Sequence, residues 1–266
     1  MTVEPPRILS IAGSDSGGGA GIQADIKTAS ALGCYAMTAV TAITAQNTQG
    51  VRSIVPVPPA VVREQIAMCL QDIGADAIKI GMLGDVDVID AVAEALGSCA
   101  SGIPLVVDPV MIAKGGSPLL AEKAVDALKS KIVPLASVLT PNLPEAHALL
   151  GRSGEASSRE LGQRLLSLGC KSVLVKGGHA DGPVVEDWLF SADGGAQKFE
   201  APRIESSHTH GTGCTLSTAI ACGLGQGMSL IDAVARSHAY VHEAIRAAPG
   251  FGSGHGPLNH MHGKVR

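Results

Sequence analysis

His208-Thr209-His210-Gly211-Thr212-Gly213-Cys214 is the stretch best equipped for chemistry, because an apolar run, Leu216 to Leu224, follows it with helical spacing. The first turn of a helix carries unpaired N–H groups and the positive end of the dipole, so it holds an anion. Gly211 and Gly213 remove side chains where a ligand would touch the backbone. Thr212 is expected to cap the turn through its hydroxyl. Cys214 is expected at the anion, with its thiol pKa pushed down by the helix start. Together they describe a phosphate cradle with a reactive thiol at its lip. The same stretch also fits a glycine-rich turn ahead of an ordinary buried helix.

Other residues join the candidate set through position. Asn142-Leu143-Pro144-Glu145 sets an amide and a carboxylate one turn apart after a strand, either to hold Mg2+ through water or as an Asn cap with a first-turn Glu. Lys176, ahead of two glycines, could pair with a phosphate or stand solvated at a strand end. Asp108, before Pro109, is either a ligand group or a turn acid. His238 and His242 share a helix face without an evident third metal ligand, so a solvated or packed pair is the preferred reading. Gly19-Ala20-Gly21-Ile22-Gln23-Ala24 matches a relaxed dinucleotide fingerprint. The ribose-binding acid due roughly 20 residues later is missing, since no Asp or Glu occurs between Asp25 and Glu64. A nicotinamide or flavin site is therefore not expected. Walker and G-x-S-x-G motifs are absent.

The elements that must position these groups alternate. Strands are expected at Arg7–Ala12, Tyr35–Ile43, Ala77–Ile80, Leu105–Val107, Val138–Leu139 and Ser172–Val175. A strand pair, Val185–Phe190 and Gln197–Ala201, turns at Asp193-Gly194. Helices are expected at Ile22–Leu32, Pro59–Ile73, Asp85–Leu96, Leu119–Ile132, Pro144–Leu150, Ser158–Leu168, Thr212–Gly223 and Leu230–Ala247. The tail from Pro249 reads as loose. Such alternation gives an α/β fold with a mostly parallel sheet and helices on both faces. Ligands then sit at the carboxyl ends of the strands, where Ser14-Asp15, Gln46, Gly81-Met82, Asp108, Asn142 and Lys176 gather. Gly115 to Pro118 and the strand pair near Asp193 are candidates for mobile cover.

The chain has 266 residues, 45% hydrophobic, and a formal net charge of -4. That suits a single domain over 1–266 with ample core. With 2% aromatics and no basic excess, neither a nucleic-acid surface nor a partner of that kind is expected. Six scattered cysteines without metal-type spacing fit reduced thiols in a cytoplasmic protein. No apolar run is long enough to span a membrane.

Several motifs in order resemble those of the bacterial hydroxymethylpyrimidine/phosphomethylpyrimidine kinases of thiamine biosynthesis, within the ribokinase-like superfamily. They are Gly13 to Asp25, Thr44 to Val51, Lys79 to Leu83, Asp108 to Met111, Leu139 to Ala146, Val175 to His179 and His208 to Cys214. The resemblance implies a three-layer αβα sandwich, ATP and Mg2+, a homodimer, and phosphorylation of a pyrimidine hydroxymethyl group and then of the monophosphate. It implies that Gln46, Asp25, Gly19, Gly21, Met82 and Val110 surround the pyrimidine. Lys176, Thr209 and Asn142 would face the nucleotide, Asp108 and Glu145 the metal, and Gly211, Thr212, Gly213, Cys214 and Lys176 the transferred group. Sugar kinases of the superfamily end the glycine motif in a general-base Asp; Cys214 stands there, as in the pyrimidine-kinase branch. A pyridoxine/pyridoxal kinase and a non-catalytic relative on the same scaffold are the alternatives.

Overall fold

A computed structural model of the chain describes residues 4–112, 116, 119–121, 123–151, 156–178 and 182–263. Nine strands form one sheet: β1 (Arg7–Asp15), β2 (Tyr35–Asn47), β3 (Gly50–Pro56), β4 (Ala77–Ile80), β5 (Leu105–Val107), β6 (Val138–Leu139), β7 (Ser172–Val175), β8 (Val184–Ser191) and β9 (Ala196–Pro202). Their order is β3-β2-β1-β4-β5-β6-β7-β8-β9. The six strands from β2 to β7 run parallel, and β3, β8 and β9 are antiparallel additions at the two edges. Central strands such as β4 and β7 are buried along their whole length, as expected of a parallel sheet covered on both faces.

Helices α2 (Pro59–Met68), α3 (Val86–Cys99), α4 (Ala124–Ala127), α5 (Leu143–Leu149) and α6 (Ser158–Leu166) cover one face. Helices α1 (Gly21–Ala31), α7 (Thr212–Gly225) and α8 (Leu230–Arg246) cover the other. The expected three layers are present. Side chains alternate across a strand, so Leu9, Ile11, Ile78 and Ile80 enter the first core while Ile8 and Ala77 enter the second. Ser10 and Lys79 share the parity of the second set, which aims them at α1 and α7.

The chain runs from β1 outward to β2 and β3, then returns to β4 on the other side of β1. That reversal leaves a crevice at the carboxyl ends of β1 and β4, the usual ligand position in such sheets.

Four expectations on the elements are corrected. Strand β2 continues past Ile43 to Asn47 and pairs with β3. Strand β3 is missing from the sequence reading because it is an exposed edge strand without an alternating pattern. The helix expected from Leu119 begins at Ala124 and passes into a π-turn at Leu128–Ile132. The segment from Pro249 is packed: Leu258 and His260 are each 3% exposed. His260 Nε2 and Thr215 Oγ1 are 3.0 Å apart, and the Tyr240 hydroxyl donates to the His260 carbonyl at 2.6 Å. The Asp193-Gly194 turn joins β8 to β9 as expected, but it lies at the end of the hairpin away from Val185 and Ala201, so it does not cover the cleft those residues line. Gly115, Ser117 and Pro118 lie outside the described residues, as does His179.

Candidate active site

Two hollows meet at the carboxyl edge of the sheet. The larger, about 510 Å³, is walled by Gly21, Gln46, Met82, Val110 and Cys214 among others. The smaller, about 230 Å³, lies between β8, β9 and α8. Asn142, Lys176, Thr209, Thr212 and Gly213 line both. A molecule in one therefore faces a molecule in the other across the start of α7.

Gly211 is the N-cap of that helix at φ 85, and an added Cβ would lie 1.8 Å from the Gly19 carbonyl oxygen. Only glycine takes this conformation against so close a neighbour. This corrects the expected role of Thr212, which is the first helical residue; the helix start has no side-chain cap. The Thr212 N–H donates to the Thr209 carbonyl at 3.4 Å, and the other first-turn N–H groups have no side-chain partner. At Gly213 a Cβ would stand 3.2 Å from Lys176 Nζ and 3.3 Å from Asp108 Oδ2. Bare backbone here lets a cation and a carboxylate approach the helix start.

Lys176 Nζ is 2.8 Å from Asp108 Oδ1 and 3.9 Å from Glu145 Oε2. Burial alone would lower the Lys176 pKa, but these carboxylates outweigh it and raise it. Burial pushes Glu145 up to about 7, with Lys176 opposing and Asp108 reinforcing. Asn142 and Glu145 form a capping box at the start of α5, each side chain bonding the other's backbone N–H at 2.9 and 2.8 Å. The bland expectation for this pair is thus met, and it still borders the cleft.

Cys214 overturns an expectation. Enclosure raises its thiol to about 11, Lys79 pulling it down and Asp25 and Asp108 pushing it further up. The helix start does not win, because burial of the thiol outweighs it. Asp25 is itself displaced from the expected pyrimidine wall. It is 1% exposed, one turn into α1, and bonds Lys79 Nζ at 2.9 and 3.0 Å, Thr218 Oγ1 and Ser10 Oγ. Thr218 follows Cys214 by one helical turn, so this ion pair lies beneath the thiol. Gly19 also leaves the wall: a Cβ there would meet the His210 ring at 2.4 Å.

Two groups placed near the site by sequence, Asp15 and His210, take a role there that the sequence did not assign. Asp15 accepts from Gly17, Gly19 and Ala20 N–H groups, so the glycine loop holds the protein's own carboxylate. Burial would raise its pKa, but bonds from His210, Ala20 and Gly17 lower it. His210 Nε2 lies 2.8 Å from Asp15 Oδ2, tying the first loop to the helix start. Asp15 was marked by its place at a strand end and His210 by its place beside the glycine motif; nothing in the sequence showed that the two pair. His255, in the tail, also lines the larger hollow. His238 and His242 approach Asp187 and the Pro202 carbonyl; among the described residues no cluster of three or more ligating side chains could hold a metal.

The family model described as phosphomethylpyrimidine kinase matches residues 15–259. The chain belongs to the phosphomethylpyrimidine kinase family. It is 50% identical to the thiamine biosynthesis bifunctional protein ThiED of Geobacter sulfurreducens, over 96% of this chain and 52% of that protein, so it spans about half of that relative. It is 45% identical to the hydroxymethylpyrimidine/phosphomethylpyrimidine kinase of Haemophilus influenzae, over 96% of each chain. Bacillus subtilis pyridoxal kinase, solved as an ADP complex, superposes with a TM-score of 0.88 at 34% identity, over 97% of this chain and 98% of that one. The family is one of kinases, and the fold is ribokinase-like, as the motifs implied. Among the described residues no helix is long and apolar enough to cross a membrane.

Proposed function

We propose that the protein transfers the γ-phosphoryl group of ATP to the hydroxymethyl group of 4-amino-5-hydroxymethyl-2-methylpyrimidine, and then phosphorylates the monophosphate. The observation that carries this is the wall shared by the two hollows. The acceptor lies in the larger one against Gln46, Met82 and Val110. The nucleotide lies in the smaller one with its phosphates at Lys176, Thr209 and Asn142.

Phosphoryl transfer needs alignment and charge stabilisation more than covalent help from the protein. The first-turn N–H groups of Gly211 to Cys214 receive the charge that spreads over the transferred group, and Lys176 shares it. Asp108 holds Lys176 in place. At neutral pH Cys214 is a thiol, so it orients the acceptor hydroxyl by hydrogen bonding instead of removing its proton as a thiolate. Gln46 reads the aminopyrimidine edge.

Asp108 and Glu145 fit Mg2+, which binds one or two carboxylates and completes its shell with water and substrate phosphates. When bound there, the ion neutralises phosphate charge.

Release of ADP on mixing the protein with ATP, Mg2+ and the pyrimidine tests the proposal. It fails if ADP release is independent of the pyrimidine. Pyridoxal is the second acceptor to compare, because a solved pyridoxal kinase shares the fold; kcat/KM higher for pyridoxal would reverse the assignment. A non-catalytic relative would release no ADP with either. A homodimer and a cytoplasmic location rest on the family resemblance and on six cysteines without a disulfide; sedimentation velocity tests the first.

A further inference from the structure

The smaller hollow contains one carboxylate that the transfer machinery leaves unused. Asp187, on β8, is 5% exposed in a wall otherwise rich in aliphatic groups such as Val185, Leu216, Val241 and Ile245. Its Oδ1 accepts from the Gly177 N–H at 2.8 Å. Its Oδ2 is 3.7 Å from His238 Nε2, too far for a hydrogen bond, and has no other bond among the described residues. That oxygen is not among the enclosed unpaired polar atoms of the described residues, so it opens into the hollow, where a donor on a ligand can reach it. Burial holds Asp187 above the usual carboxylate range, against the pull of Gly177, His238 and Lys176.

Its place in the hollow says which part of a ligand reaches it. Gly177 follows Lys176 directly, so Asp187 stands beside the phosphate end. Val241 and Ile245 form an apolar region suited to a base. A nucleotide with phosphates at Lys176 and its base against those aliphatics sets its sugar between them. A sugar hydroxyl is a neutral donor, which suits an underbonded carboxylate; a phosphate would be repelled.

We propose that Asp187 is a specificity-determining residue that accepts a hydrogen bond from a ribose hydroxyl of the phosphoryl donor, so that the protein selects ribonucleotides over deoxyribonucleotides. This rests on the smaller hollow being the donor site.

Calorimetric Kd values for ADP, 2′-deoxy-ADP and 3′-deoxy-ADP on the full chain test it. At least one deoxy form should bind weaker by on the order of 10-fold, the usual scale for a lost bond to a charged group. In Asp187→Asn, whose amide oxygen can still accept from Gly177, the gap should shrink to less than about 3-fold. Equal affinities for all three in the unaltered protein overturn the proposal, as does a full gap persisting in the variant. A loss seen only on replacing adenine by hypoxanthine also overturns it, since the carboxylate would then read the base. Val241→Trp, which fills the hollow, separates the two levels. If that variant binds ADP unchanged, the donor-site reading itself is wrong. If it loses ADP while the deoxy forms match ADP in the unaltered protein, only the role of Asp187 falls.

Discussion

The Lys176 ammonium donates to Asp108 Oδ1 at 2.8 Å, joining the ends of β7 and β5 across 68 residues of chain. The pair touches both hollows, and Gly213 is bare where the two groups meet the helix start. Lys176→Met should lower kcat by on the order of 10²-fold or more, the scale for removing one preorganised electrostatic group. Pyrimidine affinity should change little, because Gln46, Met82 and Val110 hold the ring, while Lys176 borders that hollow only where it joins the smaller one. Steady-state kinetics together with calorimetry on the pyrimidine check both halves. Near-normal kcat would place the phosphoryl group elsewhere.

Cys214 gives a prediction with two readouts. With its thiol at about 11, it should react with iodoacetamide at pH 8 about 100-fold more slowly than an ordinary cysteine, because only the thiolate attacks. Cys214→Ala should keep pyrimidine binding and reduce turnover by on the order of 10²-fold, as for a positioned acid–base group. Cys214→Ser keeps a hydroxyl that can orient the acceptor and should retain more activity than the alanine variant. A fast-reacting thiol at pH 8 would restore the thiolate role expected from the helix start alone.

The limits of the sequence reading follow a physical pattern. Local signals carried far: alternating elements predicted the layered sheet, and strand ends marked Gln46, Met82, Asp108, Asn142 and Lys176, which do meet. Quantities that depend on three-dimensional enclosure did not carry. A helix start alone favours a Cys214 thiolate, but burial of the thiol outweighs it, and no spacing shows that Ser10, Asp25, Lys79 and Thr218 converge beneath it. Asp15 and His210 are 195 residues apart, so their bond had no local signature.

The tail is a case of composition misleading. Its glycines and histidines suggested a loose end, yet Gly254 and Gly256 are bare where the segment crosses Thr48 and His208. Leu258, 3% exposed, anchors it. Leu258→Ala should destabilise the protein by about 2–4 kcal/mol, within the range for a large-to-small core change. It should also raise KM for the pyrimidine, because His255 reaches the larger hollow from this segment. Denaturant unfolding measures the first effect and kinetics the second. An unchanged unfolding midpoint would return the tail to the surface.

Glu145 and His260 make opposing contributions to the pH dependence of stability. The folded Glu145 carboxyl, at about 7 against an ordinary 4.5, binds more protons than the unfolded one between those values. Its contribution is fully present below 4.5 and is lost as pH rises through 7. Burial lowers His260 from 6.5 to about 4, so the folded state binds fewer protons there, and that contribution is lost as pH falls from 6.5 toward 4. The slopes have opposite sign and overlapping windows, so the unaltered protein should show a shallow profile between pH 5 and 6.5. Glu145→Gln should remove the falling component, leaving stability that rises with pH by on the order of 1–3 kcal/mol. His260→Gln should leave the reverse slope. Chemical denaturation at half-unit intervals, without nucleotide or Mg2+, resolves the two; parallel profiles for both variants would mean that neither group is perturbed as its burial implies.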